Sequence, residues 1–243
     1  MSDDAPTGLR GYHESTRSAT YGVLSALPLF VLYEAMILAV NTGTEAPVRV
    51  GADVWIKELL SMTGARGGLL LILIAVLAGL AAFLLDRDKT IPIRGRYVAG
   101  IVGESAVYAV GVALLVSNLT AALFAVAPPP TGALWTQLAL SIGAGLYEEL
   151  LFRVLLVGGL SLLLSPFLDP PTARYVLAAV LGAALFSLVH YVGPLGDPFQ
   201  LPSFTFRLLF GLALNVLFLW RGFGVADWTH ALYDVMVVTG VFG

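Results

Sequence analysis

Long apolar segments separated by short polar connections dominate the pattern of this chain. A helix that crosses a bilayer needs about 20 predominantly apolar residues. Seven segments meet or approach that length, and a spanning helix is predicted at each of them: 21–40, 68–85, 97–126, 134–164, 175–192, 204–220 and 224–241. Because proline lacks a backbone donor, the Pro128-Pro129-Pro130 run is expected to end the third segment. An eighth span would arise if the fourth segment breaks at Gly158-Gly159.

These spans predict an all-α fold, a polytopic membrane helix bundle of seven or eight transmembrane helices. Composition agrees, because 58% of the 243 residues are hydrophobic and only 12% are charged. Soluble domains are typically about 25% charged. The net charge of −3 and the lack of basic runs argue against a nucleic-acid partner. The polar residues 1–20 are expected to form an N-terminal tail, and residues 21–243 the integral membrane domain.

The orientation of the bundle follows from the lysine and arginine residues of its short loops, which favour the cytoplasmic side. The connection 86–96 carries Arg87, Lys89, Arg94 and Arg96. We therefore expect a multi-pass protein of the cell membrane with its N-terminus in the cytoplasm.

The longest polar connection, residues 41–66, places apolar and charged side chains at helical spacing. It includes Trp55 and Leu59 beside Lys57 and Glu58. This pattern is typical of a short amphipathic helix that lies at the membrane interface.

Three groups of ionisable residues lie inside predicted spans, where a charge costs about 3 kcal/mol on insertion scales. They are Glu148, Glu149 and Arg153 in the fourth span, His190 in the fifth, and His230 with Asp234 in the seventh. Glu149 and Arg153 are four residues apart on one helix face, so an ion pair between them is expected. Glu148 points about 100° away from Glu149. It lacks this partner and is a candidate general base.

The two histidines complete a candidate catalytic set. Glu148 and His190 can activate a water molecule, and His230 can donate a hydrogen bond to an oxyanion while Asp234, four residues later, orients its ring. Such a set is sufficient for peptide-bond hydrolysis without a covalent intermediate. Each side chain could instead only link helices.

A metal site is the alternative use of these four side chains. They are also nitrogen and oxygen ligands suited to Zn²⁺, but the chain has no cysteine and no His-Glu-x-x-His motif. We expect no metal and no other cofactor, with zinc as the alternative.

At these residues the sequence resembles the CAAX protease and bacteriocin-processing family of intramembrane endopeptidases, also called the Abi family. Its motifs are Glu-Glu-x-x-x-Arg, Phe-x-x-x-His and His-x-x-x-Asn or Asp. They occur here in that order at residues 148–153, 186–190 and 230–234. The resemblance covers about residues 134–243, which would form the catalytic core.

The resemblance implies a protease whose substrate is a peptide or a prenylated protein in the bilayer. It also implies that Glu148 acts with His190 on water, that His230 and Asp234 stabilise the oxyanion, and that Glu149 and Arg153 form a structural pair. Asp234 departs from the asparagine that prenyl endopeptidases typically have, which leaves a prenylated substrate open.

A non-enzymatic role is the alternative function: a bacteriocin-immunity or scaffold membrane protein, or a carrier that uses Glu148 and His190 for protons. The lack of a visible internal repeat disfavours the carrier. Three further ionisable residues match no motif. We expect Glu34 and Glu104 to form hydrogen bonds between helices, with Glu104 bordering the site, and Arg207 to extend its charge to the interface.

Overall fold

The structure, a computed structural model, describes residues 8–45, 47–123, 133–193 and 196–241, with the side chains of 121–123 left aside. The predicted all-α fold is confirmed, since the described residues contain helices and no strand. The helices are α1 (Gly8–Thr16), α2 (Ala19–Asn41), α3 (Gly51–Ser61), α4 (Gly68–Asp86), α5 (Gly95–Leu123), α6 (Leu134–Gly143), two π-helical segments (Ala144–Glu148 and Leu150–Val157), α7 (Gly158–Leu163), α8 (Pro171–Val189), α9 (Leu201–Arg221) and α10 (Phe223–Val238).

Five helices of the described chain are long and apolar enough to cross a bilayer, namely α2, α4, α5, α8 and α9. They lie within a few residues of the first, second, third, fifth and sixth predicted spans, and they make this a multi-pass membrane protein. Helix α10 has 16 residues, which is short for a span. The fourth predicted span is divided into short pieces and carries three charges. The count of seven or eight spans therefore stays a prediction.

The fourth predicted span differs most from the expectation. The helix does not break at the glycine pair, because a π-helical segment ends at Val157 and α7 begins at Gly158. The two π-helical segments, which we call the π region, include Glu148 and Arg153 and flank Glu149. Such π-helical turns are rare and frequently occur at functional sites. The Pro128-Pro129-Pro130 run lies outside the described residues.

Helix α10 is central to the bundle, since it packs against α2, α5, α6, α9 and the π region. It begins directly after α9 because Gly222, with φ of 94°, adopts a backbone conformation that favours glycine. A Cβ atom on Gly145 would lie 2.5 Å from the Cβ of Ala231 and 2.7 Å from the carbonyl oxygen of Asp227. Glycine at this position therefore lets the π region lie directly on α10.

The N-terminal helices are more peripheral. Only 6% of the apolar stretch of α4 is buried. Helix α3 confirms the helix predicted within 41–66, with Ile56 buried and Trp55 exposed; its place at the membrane interface stays a prediction. The polar tail contains α1, which packs against α5.

Candidate active site

The ring of Phe186 on α8 brings the three motif segments together. The Arg153 guanidinium lies 4.6 Å from the centre of this ring. The imidazole centre of His190, one turn later on α8, lies 5.1 Å away, and that of His230 on α10 lies 6.2 Å away. The π region, α8 and α10 thus present their motif residues to one interior, as the sequence predicts.

Glu149 is the centre of the most buried part of this cluster. Its Oε2 lies 3.0 Å from Nε of Arg153, which is the predicted ion pair. Its Oε1 accepts a hydrogen bond of 2.8 Å from Nδ1 of His230. Glu149, Arg153 and His230 are all buried. The carboxylate therefore fixes both a cation of its own helix and the histidine of α10.

The hydrogen bond between Glu149 and His230 is a correction to the sequence analysis, which paired His230 with Asp234. The Asp234 contact exists, but its Oδ2 lies 3.5 Å from Nε2 of His230, longer than a hydrogen bond. Helical spacing reveals partners four residues apart. It cannot reveal one that lies 81 residues away in the chain.

Glu148 is the carboxylate of the cluster without a committed partner. It is only partly buried. Within the described part of the chain it makes no hydrogen bond or ion pair, although the charges of His230, Arg153 and Arg207 act on it. Its oxygens are thus available to a water molecule or a substrate.

His190 ends α8 and is also partly buried. Its Nδ1 lies 2.7 Å from the carbonyl oxygen of Phe186. Because a carbonyl oxygen can only accept a hydrogen bond, Nδ1 must carry the proton, and in the neutral ring Nε2 is then an acceptor. This tautomer suits a group that takes a proton from water.

Two charged residues of the site region had no functional assignment from the sequence. Arg207 on α9 does not only reach toward the interface: its Nη2 lies 2.6 Å from Oδ2 of Asp197, and its charge acts on both Glu148 and His190. Asp227 on α10 is fully buried one turn before His230 and has no ion-pair partner in the described ranges. An aspartate inside an apolar helix was the signal that could have identified Asp227.

Glu104 lies in a separate cluster rather than beside the site. It accepts hydrogen bonds from Nε of Arg221 at 2.6 Å, from Tyr12 at 2.6 Å and from Tyr108 at 2.9 Å. Burial and the hydrogen bond to Glu104 raise the pKa of the Tyr12 phenol, which therefore remains a donor. The cluster joins α1, α5 and α9 and buries part of the predicted tail.

Glu34 forms the interhelical contacts that were expected of it. It lies 2.6 Å from Nζ of Lys57 on α3 and accepts a hydrogen bond of 2.8 Å from the hydroxyl of Tyr147. Lys57 also lies 2.6 Å from Oδ1 of the buried Asp53. This network fastens α3 to the residue that precedes Glu148.

The candidate zinc ligands do not form a recognisable ligand set. No group of three or more histidine, aspartate or glutamate side chains that could hold a metal ion occurs among the residues described. Nδ1 of His230 is moreover occupied by Glu149. The geometry offers no support for the zinc alternative.

The fold and the site define a multi-pass membrane protein in which carboxylates, histidines and an arginine meet between helices. Comparison with family models gives a match over residues 130–236 to the family described as type II CAAX prenyl endopeptidase, Rce1-like. All three motifs lie within the matched residues, so the resemblance is confirmed and this region belongs to the CAAX protease family. The match supports a CAAX-type intramembrane protease in general terms.

Comparison with curated proteins and comparison with solved structures each gave no match.

Proposed function

We propose that this protein is an intramembrane endopeptidase that hydrolyses a peptide bond of a membrane-tethered substrate with a water molecule activated by Glu148 and His190. The observation that carries this proposal is the meeting of the three motif segments around Phe186, with the Glu148 carboxylate uncommitted beside them. The substrate is a peptide or a prenylated protein, as the family match suggests.

Glu148 is the general base of the proposed reaction. It removes a proton from water, and the resulting hydroxide attacks the carbonyl carbon of the scissile bond. His190 holds the water through its free Nε2, since its Nδ1 proton is engaged by Phe186. When the tetrahedral intermediate collapses, the proton held by Glu148 passes to the leaving amine.

His230 is the proposed oxyanion donor. Its Nδ1 is held by Glu149, and its Nε2 faces the partly exposed Asp234. When Nε2 carries a proton, it can donate a hydrogen bond to the oxyanion of the intermediate. A single donor of this kind accelerates acyl transfer by about 10²–10³-fold in well-studied cases.

The Glu149–Arg153 pair supports the site rather than reacting. Arg153 also donates to the carbonyl oxygen of Gly211 on α9 at 3.4 Å and lies against Phe186. The pair therefore joins the π region to α8, α9 and α10 and sets the position of His230 relative to Glu148.

The test is cleavage by purified protein in lipid vesicles, followed by mass spectrometry of a library of membrane-tethered and prenylated peptides, with and without a chelator. Glu148-dependent products that form equally with chelator support the proposal and identify the substrate class. Loss of those products with chelator, restored by Zn²⁺, would replace water activation by the carboxylate with a metal mechanism. Equal products from the wild type and Glu148→Gln would reject the proposal.

A further inference from the structure

A cavity of about 470 Å³ lies between α2, α4 and the π region, within the range of about 300–1,000 Å³ of small-molecule sites. It shares no lining residue with the candidate active site. The π region contributes Leu146, Leu150 and Val154 to it, while Glu149 and Arg153 point to the α8–α10 side.

The walls of the cavity suit a hydrocarbon chain. Lining residues on α2 run from Ala19 to Phe30, a rise of about 17 Å at 1.5 Å per residue. The α4 wall consists largely of alanine and leucine-type side chains, with Ala78 near its middle. The cavity is thus long and almost wholly apolar.

A peptide is a poor occupant of this cavity, because each of its backbone groups would need a polar partner. Along the apolar walls the hydroxyl of Tyr147 is such a group, and it is already bonded to Glu34. A hydrocarbon chain makes no such demand.

Polar groups are confined to one end of the cavity, where α2 begins and α4 ends. Asp86 there is held by the backbone N–H of Thr20 at 2.7 Å and by Lys89 at 2.8 Å. Arg17 lines the same end, is exposed and has no ion-pair partner within the described ranges. This end therefore keeps a positive charge, close to the basic connection 86–96.

Access to the cavity is from the lipid. Helix α4 forms its outer wall, and nearly all of its apolar surface is exposed on the bundle. A lipid can therefore enter beside α4 without passing through the protein core.

We propose that this cavity binds one acyl chain of an anionic glycerophospholipid, with the phosphate of the lipid at Arg17. The long apolar walls hold the chain, and the positive end selects the head group. The site is separate from the proposed protease activity and does not depend on it.

The test uses phosphatidylglycerol with a photoreactive group in one acyl chain, in vesicles of phosphatidylcholine that contain the full-length protein. We expect cross-links at Leu146, which is only 6% exposed and meets lipid only through the cavity. Ala78→Trp fills the cavity and should abolish them. Val76→Trp is the matched control, because Val76 is exposed on α4 and does not line the cavity.

Competition by unlabelled lipids tests the head group. Phosphatidylglycerol should compete better than phosphatidylcholine with the same chains, and Arg17→Ala should weaken its binding about fivefold, as expected for one surface charge. Arg10→Ala, whose side chain pairs with Glu14, should change nothing.

Cross-links in the wild type that are confined to the outer face of α4 would overturn the proposal, and this result does not depend on the folding of any variant. Equal competition by the two lipids would overturn the assignment of an anionic head group.

Discussion

Two glutamate–arginine pairs join helices in this bundle, and they differ in what surrounds them. Glu104 accepts hydrogen bonds from both Nε and Nη2 of Arg221 and from two tyrosines. Glu149 holds Arg153 and His230, but its neighbour Glu148 makes no hydrogen bond among the described residues. The residue types are alike, whereas the available donors and acceptors are not. Unpaired polar groups beside a buried pair, rather than the pair itself, indicate the reactive site.

The largest effect is expected at Glu148. Glu148→Gln removes the proposed base while keeping the side-chain shape, so cleavage should fall by about 10²–10⁴-fold, as is typical of general base catalysis. The thermal unfolding midpoint in detergent should stay within a few degrees of the wild type, since no structural contact is lost. Cleavage rates by mass spectrometry and a thermal scan check both expectations.

The two pairs should separate when each glutamate is neutralised. Glu149→Gln and Glu104→Gln each leave a buried arginine without its counter-charge, which costs about 3–5 kcal/mol when one partner of a buried pair is removed. Only Glu149→Gln should also reduce cleavage per folded molecule, because only Glu149 holds His230. Denaturant unfolding and cleavage on the same samples compare them, and normal unfolding of Glu149→Gln would argue against its structural role.

Close packing between the π region and α10 gives the next effect. Gly145→Ala would force a Cβ against the backbone of Asp227 and Ala231 and push His230 away from Glu149. We expect a destabilisation of about 1–3 kcal/mol, as for overpacked cores, together with reduced cleavage. Gly159→Ala is the control, since a Cβ there meets nothing within 4 Å and alanine favours a helix. Equal behaviour of the two variants would contradict this packing.

The smallest effect is expected at Asp234. Because Glu149, not Asp234, holds the ring of His230, Asp234→Asn should lower cleavage by less than about tenfold, which is about 1.4 kcal/mol of transition-state stabilisation. His230→Gln should lower it far more. Steady-state kinetics of the two variants make the comparison, and a loss in Asp234→Asn as large as in His230→Gln would restore the i,i+4 pairing predicted from the sequence.

The apolar pattern predicted the helices well, because each long segment must satisfy its backbone internally in lipid. It could not predict the π-helical turns around Glu149, since a pattern of period 3.6 and one of slightly longer period are indistinguishable over eight residues. Local spacing gave the Glu149–Arg153 pair. The contacts of Glu149 with His230, and of Glu104 with Tyr12, join residues far apart in the chain and depend on how the helices pack.

The most direct test compares Glu148→Gln with Glu104→Gln in the same vesicles, with cleavage expressed per folded molecule. The account predicts that Glu148→Gln is folded and inactive, whereas Glu104→Gln is less stable yet cleaves at the wild-type rate per folded molecule. Cleavage by Glu148→Gln at the wild-type rate, or an equal loss in both variants, would contradict it.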